Sequence, residues 1–139
     1  MSKYNTNLAA EFYVLSMLHR LGIDASLTIG NKKAVDILVV DNKNEIITID
    51  VKGLAGAYDW PADNINQLDD KHHYYVLLSF EGKISDYHCT PSVWVIPSTD
   101  LAGFLKKYKT RTVVSRALVK SEGTKFLNAW KLLSLDSDR

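Results

Sequence analysis

Two aspartates and one lysine have a spacing that would suit a metal site beside a phosphate. Asp50 and Lys52 are two residues apart, which on a β-strand places both side chains on one face. Asp36 lies fourteen residues before Asp50. Paired carboxylates suit Mg²⁺ or Mn²⁺, and such an ion could activate water and balance charge on a leaving group. Lys52 could orient the water or stabilise charge that develops on the phosphate.

A β-hairpin is the element that would bring the two aspartates together. Residues 35–40 and 46–51 are rich in β-branched side chains, and a three-residue loop ending at Asn44 would join them. With that loop Asp36 lies opposite Asp50, and their Cβ atoms are about 4.5–5.5 Å apart. Like charges at that distance destabilise a sheet unless a cation lies between them. The hairpin therefore predicts a cation site.

A helix over residues 8–21 would contribute a third carboxylate. Its apolar side chains recur with helical spacing on one arc, which consists of Leu8, Phe12, Val14, Leu15, Leu18 and Leu21. Glu11 falls inside this arc, where a carboxylate is costly unless it meets a cation or a donor. Glu11 could hold a second metal or tether a water. The alternative is a boundary residue whose carboxylate reaches solvent.

These residues together resemble the motif of the PD-(D/E)xK nuclease superfamily, which has the restriction-endonuclease-like fold. Asp36 matches the first acid of the motif, and Asp50-Val51-Lys52 matches its (D/E)xK element. Glu11 matches the helical glutamate that many members carry. The spacing and chain length are similar to those of small Holliday junction resolvases, although the C-terminal third departs from the resolvase pattern.

The resemblance, which spans about residues 8–96, implies a fold and an activity. The fold is α/β, with an αβββαβ core in which helices flank a mixed central sheet. The activity is hydrolysis of DNA phosphodiester bonds with Mg²⁺ or Mn²⁺, leaving 5′-phosphate and 3′-hydroxyl ends. The metal ligands would be Asp36, Asp50, the backbone carbonyl of Val51 and Glu11. Lys52 would position the nucleophile. Cutting both strands would need two sites, which a homodimer would supply.

Basic residues crowd the last third of the chain, although the formal net charge is only +1. Positions 106 to 125 contain seven Lys or Arg residues and only one acid, so a local basic surface could hold a polyanion. Lys106, Arg111 and Arg116 are its candidates for contact with nucleic acid. Gln67 and Lys71 are further candidates, on a short helix predicted within residues 64–73. The alternative for all five is a solvated surface.

Length and composition indicate one globular domain over residues 1–139. The chain has a mass of 15.7 kDa and is 46% hydrophobic, enough for a substantial core. Cys89 is the single cysteine and forms no internal disulfide, which fits a reducing compartment. The sequence contains no apolar run of membrane-spanning length and no signal-peptide pattern. We therefore expect a cytoplasmic protein without a membrane partner.

The remaining elements can be predicted from periodicity and turn residues. The expected strands are 74–80, buried on both faces, 93–96, and a short edge strand at 113–114, and the expected helices are 98–108 and 124–133.

Three residue types outside the motif have both functional and structural interpretations. Trp60 could stack on a base, although a tryptophan in a loop more often covers the core. His72 and His73 could touch phosphate or metal, but adjacent residues of a strand point apart. Cys89 lacks a partner for a nucleophilic dyad, so we interpret it as a structural or incidental thiol.

Two other functional classes compete with the nuclease. The same fold could be a catalytically inactive module that binds nucleic acid or a partner protein. Alternatively, a small α/β protein could carry acids that only mimic the motif, with Asp50 and Lys52 forming a surface ion pair of little energetic value. Metal-dependent cleavage separates the first class from the enzyme, and Mn²⁺ titration separates the second.

Overall fold

A five-stranded mixed sheet and a smaller three-stranded sheet form the framework of the protein. The computed structural model describes residues 2–28, 35–40 and 44–134. The strands are β1 (Ala25–Leu27), β2 (Ile37–Val40), β3 (Ile46–Leu54), β4 (Trp60–Pro61), β5 (His73–Ser79), β6 (Ser92–Pro97), β7 (Leu105–Lys107) and β8 (Thr112–Val114). The α-helices are α1 (Lys3–Arg20), α2 (Ser98–Leu101) and α3 (Arg116–Glu122). Short 3₁₀ turns lie at Ala102–Phe104, Thr124–Phe126 and Trp130–Leu133.

The larger sheet has the order β1-β2-β3-β5-β6. Its β3–β5 pair is parallel and its other pairs are antiparallel. Helix α1 packs against β3 and β1 on one face. The expected α/β class with a mixed central sheet is therefore confirmed, and the order of helix, three strands and later strands fits a restriction-endonuclease-like core.

The β2–β3 hairpin has the predicted register. Leu38 pairs with Thr48, and Val40 pairs with Ile46. Asn44 has φ 61°, the left-handed conformation expected of the last loop residue. The other two residues of this loop, 42 and 43, lie outside the described part of the chain, as does residue 41. The β-branched composition and the loop length were thus sufficient to align the two strands.

Helix α1 is longer than predicted and buries a narrower stripe. It begins after Ser2, whose side chain accepts a hydrogen bond from the Asn5 N–H. The buried residues are Thr6, Ala10, Glu11, Val14 and Leu18. The inward position predicted for Phe12 is wrong, since its side chain is 53% exposed. Phe12 is two residues from Val14, which places it about 200° round the helix from the centre of the stripe.

Strand β3 separates two hydrophobic clusters. Its odd-numbered side chains Ile47, Ile49 and Val51 pack with α1 in one cluster. Alternation along the strand places Thr48, Asp50 and Lys52 on the opposite face. On that face the second cluster includes Trp60, Trp94 and Val114. The side chains of Asp50 and Lys52 therefore leave β3 from the face opposite to the one that α1 covers.

The crossover between β3 and β5 contains a strand instead of the predicted helix. Strand β4 lies in this crossover and pairs with β8, so the smaller sheet has the order β4-β8-β7. Residues 64–72 contain no helix. The segment is tied to its neighbours at two points: the Ala62 N–H just before it donates to the Thr112 carbonyl at 3.0 Å, and the Tyr75 hydroxyl donates to the Gln67 carbonyl at 3.0 Å.

The C-terminal third differs most from expectation. The helix predicted for residues 98–108 stops at Leu101 and continues only as one 3₁₀ turn before β7. The strand predicted at 113–114 exists, but β8 is the central strand of its sheet and not an edge. The helix predicted for 124–133 is two 3₁₀ turns, because Asn128 between them has φ 53° and its N–H donates to the Val93 carbonyl.

Among the described helices, none combines the length and the apolar character that a membrane span requires.

Candidate active site

Asp36 lies just before β2, where the ladder with β3 ends. The last regular pair is Ile37 with Ile49. The Asp36 N–H donates to the Ile49 carbonyl at 2.9 Å, and its carboxylate accepts the Val51 N–H at 2.8 Å. Asp36 therefore bonds to β3 on both sides of Asp50, and the expected Asp36–Asp50 pair is not a regular ladder pair.

The carbonyl of Val51 faces the same side of β3 as the Asp36 carboxylate. Within a strand, the N–H and C=O of one residue point the same way, and successive residues alternate. Thr48 and Leu54 bond to the segment that carries β5, through the His72 carbonyl and the Phe80 N–H. Val51 is an odd number of residues away from Thr48 and from Leu54, so its backbone groups point to the opposite side. Its N–H donates to the Asp36 carboxylate, and its carbonyl therefore also points toward β2.

The Asp50 side chain projects from the face of β3 opposite to α1, beside a fully buried histidine. Its side chain is 22% exposed, and its Oδ2 is 3.4 Å from Nε2 of His73. The Nδ1 of His73 is 2.5 Å from the Thr48 hydroxyl. If that hydroxyl donates to Nδ1, the ring proton is on Nε2 and faces Asp50. Nε2 makes no hydrogen bond within the described residues. The Asp50 carboxylate faces this nitrogen at 3.4 Å.

Tyr75 is the second buried wall beside Asp50. Burial, together with the negative charge of Asp50 as the second cause, raises the pKa of the Tyr75 hydroxyl to about 12. Its hydroxyl donates to the Gln67 carbonyl at 3.0 Å, and its ring packs edge-on to His73 with centroids 4.8 Å apart. Tyr75 therefore stays neutral over the physiological pH range.

Lys52 reaches an open pocket of about 460 Å³. Its Nζ donates to the Asn64 side-chain carbonyl at 3.4 Å. Other walls come from Lys3 and Asn7 at the start of α1 and from Tyr58 in the crossover. The pocket thus combines two ammonium groups, two amides and an exposed aromatic ring, a composition that suits an anionic ligand with a planar portion.

Glu11 is buried but approaches the sheet from the other face. Its exposed fraction is 7%, within the stripe of α1 that packs against Ile49 and Val51. The preceding residue, Ala10, lies so close to β3 that a Cβ added to Gly53 would be 2.6 Å from its own Cβ. Glu11 and Asp50 therefore lie on opposite faces of β3, and the metal role of Glu11 stays a prediction.

The oxygen donors at this end of β3 suit magnesium better than zinc. They are the carboxylates of Asp36 and Asp50 and the carbonyl of Val51. Over residues 2–28, 35–40 and 44–134, no three or more His, Cys, Asp or Glu side chains are grouped to hold a metal. Zn²⁺ usually takes four N or S ligands in structural sites, whereas Mg²⁺ keeps several waters and needs only one or two carboxylates.

Comparison with solved structures finds a similar fold. The chain aligns with a bacterial homing endonuclease, I-Ssp6803I, with a TM-score of 0.55 and 13% sequence identity. The alignment covers 95% of this chain and 91% of that one. The two folds are similar. No protein-family model matches the sequence, and no curated protein does either. At 13% identity the similarity concerns the fold alone.

The remaining residues predicted to contact nucleic acid differ in their exposure and in their contacts. Gln67 lies near Tyr75 through its backbone carbonyl, and Lys71 is exposed just before β5, but neither is on the predicted helix. Lys106 and Arg111 are exposed. Arg116 is partly buried and forms an ion pair with Glu81, whose carboxylate also contacts Lys120.

The structural interpretations of Trp60 and Cys89 agree with the structure. Trp60 is fully buried, and its indole N–H donates to the Leu78 carbonyl at 3.3 Å. Its ring is therefore not available for stacking on a base. The Cys89 thiol donates to Asp86 at 3.2 Å, and this hydrogen bond raises the thiol pKa. A raised pKa lowers the thiolate fraction on which nucleophilic reactivity depends.

Sequence reasoning missed Tyr75 and Asn64 as neighbours of the motif, and it considered His73 as a contact to phosphate or metal without placing it beside Asp50. The parallel register explains His73 and Tyr75, because Thr48 pairs with His73 and Asp50 with Tyr75 on one face. The signal was a polar residue at the entrance of an otherwise apolar strand. No local pattern marked Asn64, which reaches Lys52 through the irregular crossover.

Proposed function

We propose that the protein is a metal-dependent DNA endonuclease that hydrolyses phosphodiester bonds through Asp36, Asp50 and Lys52. The observation that carries this proposal is the hydrogen bond from the Val51 N–H to the Asp36 carboxylate at 2.8 Å. It holds one acid of the motif at the middle residue of Asp50-Val51-Lys52, where a peptide carbonyl points the same way. The similarity of the fold to that of a homing endonuclease supports the same activity.

Each side chain has a role that its surroundings support. Asp36, Asp50 and the Val51 carbonyl would hold Mg²⁺, which when bound would supply positive charge beside the scissile phosphate. His73 and Tyr75 flank Asp50 and would favour one orientation of its carboxylate. Lys52 would donate from Nζ to the attacking water or to a phosphate oxygen, and Asn64 would hold the ammonium group at the pocket.

A plasmid-cleavage assay with matched variants tests the activity. Supercoiled DNA is incubated with Mg²⁺ or Mn²⁺ and wild type, Asp50→Asn, Lys52→Met or Asp100→Asn. Asp100 is an exposed acid on α2 and serves as the charge control. We expect Asp50→Asn and Lys52→Met to lower the cleavage rate by at least about 10²-fold, and Asp100→Asn to leave it unchanged. Wild-type cleavage that survives Asp50→Asn would contradict the proposal.

Calorimetric titration with Mn²⁺ provides a readout independent of turnover. Wild type should bind the ion, and both Asp36→Asn and Asp50→Asn should weaken binding while Asp100→Asn does not. Lys52→Met should bind Mn²⁺ at least as tightly as wild type, because removing a nearby ammonium group removes repulsion toward the ion.

A catalytically inactive binding module is the second candidate. One observation favours it: Glu11 belongs to the stripe of α1 that packs on the face of β3 opposite to Asp50. This candidate predicts DNA binding without strand cleavage at any concentration of Mg²⁺ or Mn²⁺. The plasmid assay, run beside a gel-shift assay, distinguishes it from the enzyme.

A further inference from the structure

The β7–β8 hairpin is a short ribbon closed by a two-residue turn. Lys106 pairs with Val113 and Lys107 with Thr112. The Tyr108 N–H then donates to the Arg111 carbonyl at 2.8 Å, which leaves two residues at the tip. The base of the ribbon is anchored, because Val114 is fully buried in the second cluster. Its tip is therefore a projecting element on a rigid support.

A dense cluster of exposed positive charge marks this ribbon within the basic C-terminal third. Residues 105–111 carry four cations and no acid, namely Lys106, Lys107, Lys109 and Arg111. All four side chains are exposed, and within the described chain none has an ion-pair partner. Arg116 and Lys120 differ, since both contact the Glu81 carboxylate. Lys125 and Lys131 are also exposed and have no ion pair among the described residues, but they lie six residues apart, whereas the ribbon groups four cations within seven residues.

The ribbon adjoins the pocket that contains Lys52. Across the smaller sheet, Pro61 pairs with Val113 and Val113 pairs with Lys106, so these side chains share one face. Pro61 also lines the Lys52 pocket. Two strand spacings of about 4.8 Å place Lys106 about 10 Å from Pro61. One extended polyanion can therefore contact the ribbon and the pocket together.

The dimensions of the ribbon match the major groove of B-form DNA. That groove is about 12 Å wide and 8.5 Å deep and admits a two-stranded ribbon. From the Lys106–Val113 pair to the tip, three residues at about 3.3 Å each give a reach of about 10 Å. Lys109 and Arg111 near the tip are donors of the kind that bind the N7 and O6 acceptors of guanine.

We propose that the β7–β8 hairpin enters the major groove of duplex DNA and that Lys109 and Arg111 contact base edges there. The proposed contact rests on DNA being the partner of the active site, and it adds the mode by which that DNA is held. Duplex RNA is excluded as an equivalent ligand, because its major groove is too narrow and deep for side chains to reach the bases.

Binding without metal tests the hairpin separately from cleavage. The probe is a fluorescent mixed-sequence 30-bp DNA duplex in EDTA, titrated with wild type, Lys109→Ala/Arg111→Ala, or the control Lys83→Ala/Lys131→Ala. The control removes the same charge from two exposed lysines outside the ribbon. We expect the hairpin variant to lose about 10- to 100-fold in affinity and the control to change less than about threefold.

A second duplex of the same sequence identifies the groove. Its cytosines carry glucosylated 5-hydroxymethyl groups, which fill the major groove. Wild type should bind this duplex at least about tenfold more weakly than the unmodified one, and the hairpin variant should bind both equally. Equal loss in the hairpin variant and the charge control, or equal wild-type affinity for the two duplexes, would overturn the proposal.

The two proposals can fail independently. Binding that depends on the hairpin, together with no cleavage in Mg²⁺ or Mn²⁺, would reject the endonuclease and keep the groove contact. Cleavage that is lost in Asp50→Asn but unchanged in Lys109→Ala/Arg111→Ala would keep the endonuclease and reject the groove contact. Circular dichroism melting of each variant verifies that lost affinity is not lost folding.

Discussion

A methyl group at position 53 should force α1 away from β3. Gly53 follows Lys52 on the face of β3 that α1 covers, and an ideal Cβ there would be 2.6 Å from Cβ of Ala10. Carbon atoms in contact are separated by about 3.5–4.0 Å, so Gly53→Ala requires a displacement of about 1 Å. The Thr6 carbonyl, 3.4 Å from the added atom, limits sideways movement.

The expected cost of Gly53→Ala is that of overpacking a tightly fitted core, about 1–3 kcal/mol of unfolding free energy. In a chain of this size that corresponds to a decrease in Tm of about 4–12 °C. Because Glu11 follows Ala10 and Lys52 precedes Gly53, the same displacement alters the site. A misplacement of about 1 Å can cost about 10²-fold in rate, so we expect cleavage to fall as well.

A double-mutant cycle separates steric overlap from other effects. Ala10→Gly alone should cost about 2 kcal/mol through helix propensity and a lost buried methyl. In Ala10→Gly/Gly53→Ala the new methyl occupies the space that the old one left, so the double variant should be more stable than the sum of the singles by about 1–2 kcal/mol. Gly103→Ala is the control, since nothing lies within 4 Å of its added Cβ.

Urea unfolding followed by circular dichroism measures all four free energies. If Gly53→Ala is as stable as Gly103→Ala, the close contact between α1 and β3 is wrong. If the cycle is additive within about 0.5 kcal/mol, the two methyl positions do not compete for one space.

Three further predictions concern other contacts. Asp36→Ala leaves the Val51 N–H unsatisfied and should lower the unfolding free energy by about 1–3 kcal/mol. Asp36→Asn keeps an acceptor for that N–H, so it should recover the stability but not the Mn²⁺ binding. Urea unfolding measures the stability, and calorimetry measures the Mn²⁺ binding. The pKa of Tyr75 is raised from 10.0 to about 12, so its neutral form stabilises the fold below pH 10 and this contribution is lost as pH rises toward 12. Tyr75→Phe should remove that part of the pH dependence of stability, and Asp50→Asn should lower the Tyr75 pKa in an ultraviolet titration. Trp60→Phe removes a buried indole and its N–H donor and should cost about 1–3 kcal/mol, more than Trp130→Phe at a partly exposed position, as measured by thermal unfolding.

The first half of the fold could be predicted because its signals are local. β-branched runs and a short loop ending at Asn44 determine the register of β2 and β3, and that register is observed from Ile37–Ile49 to Val40–Ile46. The inward position of Glu11 also followed from helical periodicity. The sequence did not predict whether Glu11 and Asp50 lie on the same face of β3, because that depends on which face of β3 the helix covers.

The crossover and the C-terminal third could not be predicted because tertiary hydrogen bonds override local propensity there. Trp60–Pro61 reads as a loop, yet it pairs with β8, a strand from the far end of the chain. Asn128 interrupts a helix-like pattern because its N–H bonds to Val93 on β6. His73 became a neighbour of Asp50 only through the parallel pairing of β5 with β3.

The pairing of β4 with β8 has a consequence for synthesis on the ribosome. Trp60 pairs with Val114, and 114 − 60 gives a separation of 54 residues. At about 5–20 residues per second, β4 waits about 3–11 s for its partner to be translated. Since Trp60 and Pro61 line the pocket of Lys52, a nascent chain holds every residue of the acidic motif several seconds before that pocket wall is secured.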